Sequence, residues 1–292
     1  MRVVLIAKPP ADDAEAQRVE TVLTAVRAGG HEARARVTRG RGDAELFARG
    51  AASGRADLVL AMGGDGTINE VVNGLAGAPQ RPRLGILPAG TANDFARGLG
   101  VPLDEVEAVA VALTGNAAWV DVARVNQRCF INVSTGGFGT EATRGAAPRA
   151  KRLLGPLAYA LTGARRLRAF RPTSAAFQLD GRQLYAGPFA SFAVGNSWRT
   201  GGGTRVTPRA LRADGELDVL IVGNVSRFEL LALLPDLRSG RHLESPDVLY
   251  VRGRSLRITA DAPLRVNADG EPVTAPVLEY GVLERCLEVM VP

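Results

Sequence analysis

An apolar run at residues 56–61, ADLVLA, leads straight into residues 62–70, MGGDGTINE. No other stretch constrains the fold as tightly. Three glycines, an acid and a hydroxyl crowd the point where a buried strand gives way to a helix. Gly63, Gly64 and Gly66 permit backbone conformations and close approaches that a Cβ forbids. Backbone amides at such a corner can converge on an anion, and the helix N-terminus adds partial positive charge. A nucleotide phosphate is the natural ligand. Asp65 would face it, and a carboxylate beside phosphate needs a bridging divalent cation, so Asp65 implies Mg²⁺. The loop is not of the Walker type, because no Gly-Lys-Ser/Thr follows. With no lysine at hand, charge neutralisation falls to Mg²⁺, amides and arginine. Thr67 and Glu70 also stand at capping-box spacing.

A second loop, PAGTANDF at residues 88–95, follows another strand-like run, LGILP. Thr91 and Asp94 again have capping-box spacing. Two such corners at the carboxyl ends of parallel strands face one crevice. Asp65, Asn93 and Asp94 can then converge on one nucleotide and its metal.

The rest of the first 115 residues supports a parallel sheet. Strand patterns at 3–7, 31–38, 58–62 and 84–88 alternate with helical patterns at 13–28, 43–53, 67–75, 94–99 and 103–113. Such alternation predicts a doubly wound α/β domain with helices on both faces. After about residue 120 the period changes. Short alternating runs such as VDVARVN, CFINVST, FASFAVGN, ELDVLIVG and CLEVMV predict an antiparallel β-sandwich. Helical patterns interrupt it at about 153–170 and 226–234. The expected division is an α/β domain at 1–120 and a β domain at 121–283. The last strand, 284–292, returns to the first.

Composition narrows the chemistry. The chain has 292 residues, 46% hydrophobic and 23% charged, an ordinary globular balance. No apolar run reaches the ~20 residues a membrane span needs, and a cytoplasmic protein is expected. The two cysteines, Cys129 and Cys286, lack metal-ligand spacing, and His31 and His242 are the only histidines. Acid–base work therefore falls to carboxylates. The net charge is +6. From 142 to 179 there is no acid, while Arg144, Arg149, Lys151, Arg152, Arg165, Arg166, Arg168 and Arg171 accumulate. Such a block suits a solvated face or an anionic membrane surface. Few aromatics are interleaved for base stacking, so no nucleic-acid partner is expected.

GGDGTINEVVNGL followed by LPAGTANDFARGLGVP resembles the diacylglycerol kinase catalytic domain, in the branch of bacterial soluble lipid kinases related to sphingosine and ceramide kinases. WVDVARVNQRCFINVSTGGFG at 119–139, RALRADGELDVLIV at 209–222 and NADGEP at 267–272 resemble further elements of that family. Lys8-Pro9 stands where members carry Asn-Pro. The resemblance implies a nucleotide domain like that of NAD kinases and phosphofructokinases, joined to a β-sandwich lipid domain. It implies transfer of the γ-phosphate of ATP, with Mg²⁺, to a lipid hydroxyl, diacylglycerol being the default acceptor.

By the same resemblance the nucleotide is contacted by Thr38, by Gly63, Gly64, Asp65, Gly66, Thr67, Ile68 and Asn69, and by Gly90, Thr91, Asn93 and Asp94. Asp269 or Glu271 serves as proton acceptor, and Asp65 takes part in catalysis. Asp65, Asp94 and Asp121 form a carboxylate network around the catalytic Mg²⁺. Leu211, Asp214 and Glu216 hold a structural Mg²⁺. The lipid would be met at the inner membrane face, and a homodimer is left open. An NAD kinase-like phosphotransferase and a non-catalytic nucleotide or lipid sensor are the alternatives on this scaffold.

Overall fold

The computed structural model describes residues 1–10, 12–138, 173–233 and 235–292. The basic block at 144–171 and the helix expected at about 153–170 lie outside the described residues. No helix among the described residues is long and apolar enough to cross a membrane.

The first half is a parallel sheet of β1 (Arg2–Ala7), β2 (Glu32–Val37), β3 (Leu58–Gly63) and β4 (Arg83–Pro88), in the order β2-β1-β3-β4. Every residue of β3 is buried, as a strand covered on both faces demands. Edge strand β2 buries little and alternates Ala33 and Ala35 with Arg34 and Arg36, which blunts an open edge. Helices α1 (Asp13–Ala28) and α5 (Glu105–Thr114) contact one another, as do α2 (Asp43–Ser53) and α3 (Asp65–Ala76), and each pair packs against the sheet. Helix α1 starts where Asp12 accepts the Glu15 amide at 2.8 Å, and it buries Val19, Val22, Leu23 and Val26 along one stripe. Between β4 and α5 lies the short helix α4 (Asp94–Gly98).

The second half is antiparallel. Strands β5 (Asn116–Val125), β6 (Arg128–Phe130), β7 (Val133–Gly137), β8 (Thr173–Leu179), β9 (Arg182–Phe189), β10 (Ser191–Gly195), β11 (Leu217–Val222) and β12 (Val248–Gly253) lead to two long ones, β13 (Ser255–Ala268) and β14 (Glu271–Val291). Helix α6 (Arg227–Leu233) and two 3₁₀ turns separate β11 from β12. Strand β12 and its pairing with β11 did not emerge from the sequence pattern.

The long strands join the halves. β13 pairs with β8 through Leu256–Thr259, breaks register between Thr259 and Leu264, and then pairs with β7. β14 leaves β13, pairs with β5, and brings Val289 alongside Leu84 of β4 in parallel. The chain's last strand thus closes the parallel sheet. The bulge in β14 falls between Leu283 and Leu287, where Arg285 adopts φ 45°.

Asp121 holds this joint. It is buried, and its carboxylate accepts the amides of Gly215 and Arg285, each at 2.7 Å. The bulge and an Asp-Gly turn are satisfied by one buried carboxylate.

The core has three clusters. The largest lies around the parallel sheet. A second fills the β domain around Phe177, whose ring meets Phe189 and Phe192 edge-on at 5.3 and 5.4 Å. The third, including Val133, Phe138, Ala193, Leu220, Val222 and Leu230, surrounds an open cavity. Phe177→Ala should lower stability by about 3–5 kcal/mol, because its packed neighbours cannot collapse into the space. Urea titration followed by circular dichroism measures this.

Candidate active site

The two glycine corners meet. The order β2-β1-β3-β4 reverses between β1 and β3, and ligands of such sheets bind beyond the strands' carboxyl ends near that switch. Gly63 ends β3, and its carbonyl accepts the Ala89 amide at 2.8 Å. Gly64 and Gly90 then touch backbone to backbone. A Cβ on Gly64 would stand 3.1 Å from Gly90 Cα, and one on Gly90 would overlap Gly64 Cα. Asp65 Oδ1 accepts the Phe95 amide at 3.0 Å, so the first corner also caps the second helix.

Helix α3 begins at Asp65, two residues before the expected start, with extended Gly64 at its cap position and no capping side chain. Its first turn therefore offers uncapped amides to an anion. Gly66 stands open there. The expected capping boxes do not form. Thr67 lies inside the helix against Gly63, and Glu70 instead accepts the amide of Ala44 at 3.2 Å. Asn93, in the left-handed region at φ 50°, folds its side chain onto Gly90, accepting its amide and donating to its carbonyl, both at 3.0 Å. It shapes the loop and leaves Thr91 exposed at the tip.

Three carboxylates line one end of a single cavity of about 500 Å³: Asp65, Asp94 and Asp269. Asp94 is buried and accepts Arg199 Nε and the Gly202 amide, both at 2.8 Å. Gly201, Gly202 and Gly203 all have positive φ, a backbone path that other residues resist, and it lays the 200–204 loop over Asp94. Asp269 comes from the turn between β13 and β14, at φ 50°. Its Oδ2 accepts the amides of Ile131 and Asn132 at 2.6 and 2.9 Å, and its Oδ1 that of Val133 at 3.2 Å. Burial pushes its pKa up to about 6; the three amides oppose the rise and the charge of Asp65 adds to it.

Away from these carboxylates the cavity is largely apolar. Phe138, Phe192, Val206, Leu220, Val222, Leu230, Leu233, Leu237 and Val248 form its walls. A glycine-hinged, carboxylate-lined corner and a greasy chamber thus share one space.

Sequence comparison agrees with this geometry. Residues 2–125 match the model of the diacylglycerol kinase catalytic domain, and residues 133–291 match that of the YegS C-terminal NAD kinase beta sandwich-like domain. A diacylglycerol kinase of Bacillus subtilis (strain 168) is 35% identical over 93% of this chain and 89% of its own length. One from Staphylococcus haemolyticus is 34% identical over 93% and 82%. The chain belongs to the diacylglycerol kinase family. It is an ATP-dependent lipid kinase with an N-terminal nucleotide domain and a C-terminal β-sandwich. Among solved structures, a putative diacylglycerol kinase from Bacillus anthracis str. Sterne superimposes with a TM-score of 0.81 at 29% identity, covering 100% of this chain and 97% of that one. Yeast NADH kinase complexed with NADH shares the fold alone, with a TM-score of 0.57 at 14% identity over 99% and 82%.

Other residues assigned from the family resemblance have partners within the fold. Ile68 is fully buried in the core and its amide donates to the Gly64 carbonyl at 3.1 Å; Asn69 is buried and accepts from Asn73. Both side chains face inward because α3 packs that face on the sheet. Asp121 accepts an amide on each carboxylate oxygen at the β14 joint. Glu271 forms an ion pair with Arg41 of the β2–α2 loop, spanning the two halves. Thr38 is buried at the end of β2, its amide on the Ala7 carbonyl at 2.9 Å. Asp214 and Glu216 both pair with Arg252, and Leu211 is exposed. The resemblance places a structural Mg²⁺ here mainly on the main-chain oxygens of Leu211 and Glu216 beside Asp214, and these ion pairs engage only the side chains. Among the described residues no group of three or more His, Cys, Asp or Glu side chains is placed to hold a metal. Lys8, by contrast, is at hand: its amide donates to the Met62 carbonyl at 3.3 Å, and its ammonium pairs with Glu15 at 2.9 Å.

Arg199 and Arg212 escaped notice in the sequence because 34 of the 36 basic residues are arginines, which blurs any single one. Arg212 is largely buried beside the carboxylates. Its Nη2 donates to Ser197 Oγ at 2.6 Å, and its guanidinium lies 5.4 Å from the Phe95 ring. Burial lowers its pKa to about 10, while Asp269, Asp94 and Asp65 hold it up, so it stays charged at neutral pH. The run TGGGT at 200–204 was the one available signal for the loop over Asp94.

Two substitutions separate the corner from the joint. Gly90→Ala should weaken nucleotide binding at least about tenfold, because backbone meets backbone at Gly64 and neither yields cheaply. Asp121→Ala should instead cost about 3 kcal/mol or more of stability, by orphaning two buried amides, and leave nucleotide affinity near the parent value. Isothermal titration with ATP and chemical denaturation read the two effects.

Proposed function

We propose that the chain moves the γ-phosphate of ATP onto the free hydroxyl of a diacylglycerol, giving phosphatidic acid. One observation carries this function: Asp65, Asp94 and Asp269 stand at the end of the same cavity that Phe192, Leu220 and Leu230 line. A nucleotide laid over the α3 N-terminus would present its terminal phosphate there. An acyl lipid in the apolar chamber would present its hydroxyl from the other side.

Asp269 acts as proton acceptor. Its left-handed turn and three amides from the 131–133 segment fix the carboxylate, and its raised pKa keeps it a usable base near neutrality. The hydroxyl oxygen bonds to the γ-phosphorus as its proton passes to Asp269. The bond from that phosphorus to the β–γ bridging oxygen breaks, and ADP leaves. Arg212 and Arg199 add positive charge where negative charge gathers on the transferring group. Glu271, paired with Arg41, keeps the turn carrying Asp269 against the nucleotide half.

Mg²⁺ fits at Asp65. One of its oxygens is used by Phe95, while the other has no hydrogen-bond partner among the described residues. Mg²⁺ commonly takes one or two carboxylates, with phosphates and waters completing its shell. Bound there, it would neutralise phosphate charge. Asp94, committed to Arg199 and Gly202, would shape that environment from behind.

Incubation with labelled ATP and a diacylglycerol should place the label in organic-phase phosphatidic acid. Label that stays in the aqueous phase, under conditions where ATP stabilises the protein, overturns this function. Asp269→Asn should reduce kcat by about 10²–10⁴-fold while thermal stabilisation by ATP persists. Retained turnover removes Asp269 as the base. The pH profile follows from the same group. The base works when ionised, so log kcat/KM should rise with unit slope below about pH 6 and flatten above it.

A further inference from the structure

Helix α6 has two apolar faces, and the core uses one. Leu230 and Leu233 turn inward and line the cavity. Phe228 and Leu231, also three apart, turn outward, 70% and 40% exposed. The helix is held in this attitude. Ser226 and Glu229 form a reciprocal capping box, the Ser226 amide donating to Glu229 Oε2 at 2.7 Å and the Glu229 amide to Ser226 Oγ at 3.3 Å. Beyond the helix, Leu237 also lines the cavity, and the His242 ring bridges to the Val206 carbonyl at 3.0 Å. One thin wall therefore separates an apolar chamber from an apolar patch facing solvent.

Two physical arguments say what covers that patch. A cavity of about 500 Å³ has the size of a drug-sized ligand site, smaller than a diacylglycerol with two long chains. The remainder of the acyl chains must stay in an apolar medium outside. The patch itself is too small for a stable second copy. Helix α6 is about 10 Å long, whereas specific dimers bury about 800 Å² per partner. A few apolar side chains with an aromatic and an arginine suffice at a bilayer surface, and Arg227 lies over the Phe228 ring at 5.4 Å.

We propose that α6 is a membrane-docking element: Phe228 and Leu231 insert at the bilayer surface, so that acyl chains cross from the bilayer past Leu230 and Leu233 into the cavity. This assignment rests on the lipid-binding role of the cavity proposed above. It places the lipid entrance on a segment of described structure.

The test uses the full-length protein and vesicles of phosphatidylcholine and phosphatidylglycerol. Phe228→Asp with Leu231→Asp should weaken vesicle binding in sedimentation by about tenfold or more. Turnover of a short-chain diacylglycerol dispersed below its micellar concentration should stay at the parent level, since neither residue lines the cavity. Phe228→Trp should bind as the parent does, and vesicles of brominated lipid should quench the added indole emission, read as the difference from the parent spectrum. Undiminished vesicle binding by the double variant overturns the proposal, as does an added emission that stays unquenched in a sample that sediments with vesicles. So does an equal loss of short-chain turnover, which would place α6 in the catalytic cavity alone. A parent dimer that the double variant dissolves, seen by sedimentation equilibrium, would make a second copy the occupant and overturn it too. A parent that binds vesicles but phosphorylates no diacylglycerol in either form would instead break the proposed reaction and leave the docking result readable.

Discussion

Everything in the catalytic cleft depends on two glycines touching. Gly64 and Gly90 lie just past the ends of adjacent parallel strands, and their contact brings the N-termini of α3 and α4 to one point. The approach is closer than any side chain allows, so it fixes residue identity at both positions. The Asp65 carboxylate then bridges the corners through the Phe95 amide. The uncapped amides at this corner follow from this geometry rather than from any single charged group. A positive side chain alone would bind an anion, but it would not orient one.

The second half supplies what the first cannot. A parallel α/β sheet has no chamber for a lipid, because both faces are covered by helices. The β domain opens one between β7, β10, β11 and the α6 segment, and β13 and β14 carry it to the nucleotide corner. The turn between those strands holds Asp269 against three amides just before β7. The same strand, β14, goes on to pair with β5 and reach β4. Asp269 and the edge of the nucleotide sheet are thus carried by one continuous hydrogen-bonded ladder. Asp121 secures the bulge that lets β14 turn from one half to the other.

Local pattern made much of this legible in the sequence. Helices α1 and α2 begin and end where the sequence places them, because the Asp cap of α1, glycine stops and a regular apolar stripe are short-range signals. The glycine corners and Asp269 were likewise readable from motifs. What the sequence concealed was partner choice. Glu70 has the spacing of a cap with Thr67, but the amide of Ala44 claims it across the fold. Asp121 looks like one more acid near others, yet two distant amides claim it. Asp214 and Glu216 share Arg252, which lies on another strand. Each case turns on a contact distant in sequence, and spacing carries no information about those.

The charge arrangement explains how such a site exists before ATP arrives. Asp65, Asp94 and Asp269 crowd one end of a largely apolar cavity, where unscreened repulsion would be costly. The protein answers in three ways. Backbone amides take up Asp269 and part of Asp65, Arg199 and the Gly202 amide take up Asp94, and Arg212 lies beside all three as a buried cation. Gly98 leaves room for that guanidinium, since a Cβ there would collide with its nitrogens. A triphosphate entering this site brings more negative charge than the carboxylates themselves. The free protein therefore has to hold its cations close without pairing them off completely, and backbone amides make this feasible. They stabilise carboxylates at no cost in net charge, so that the arginines keep part of their field for the phosphates.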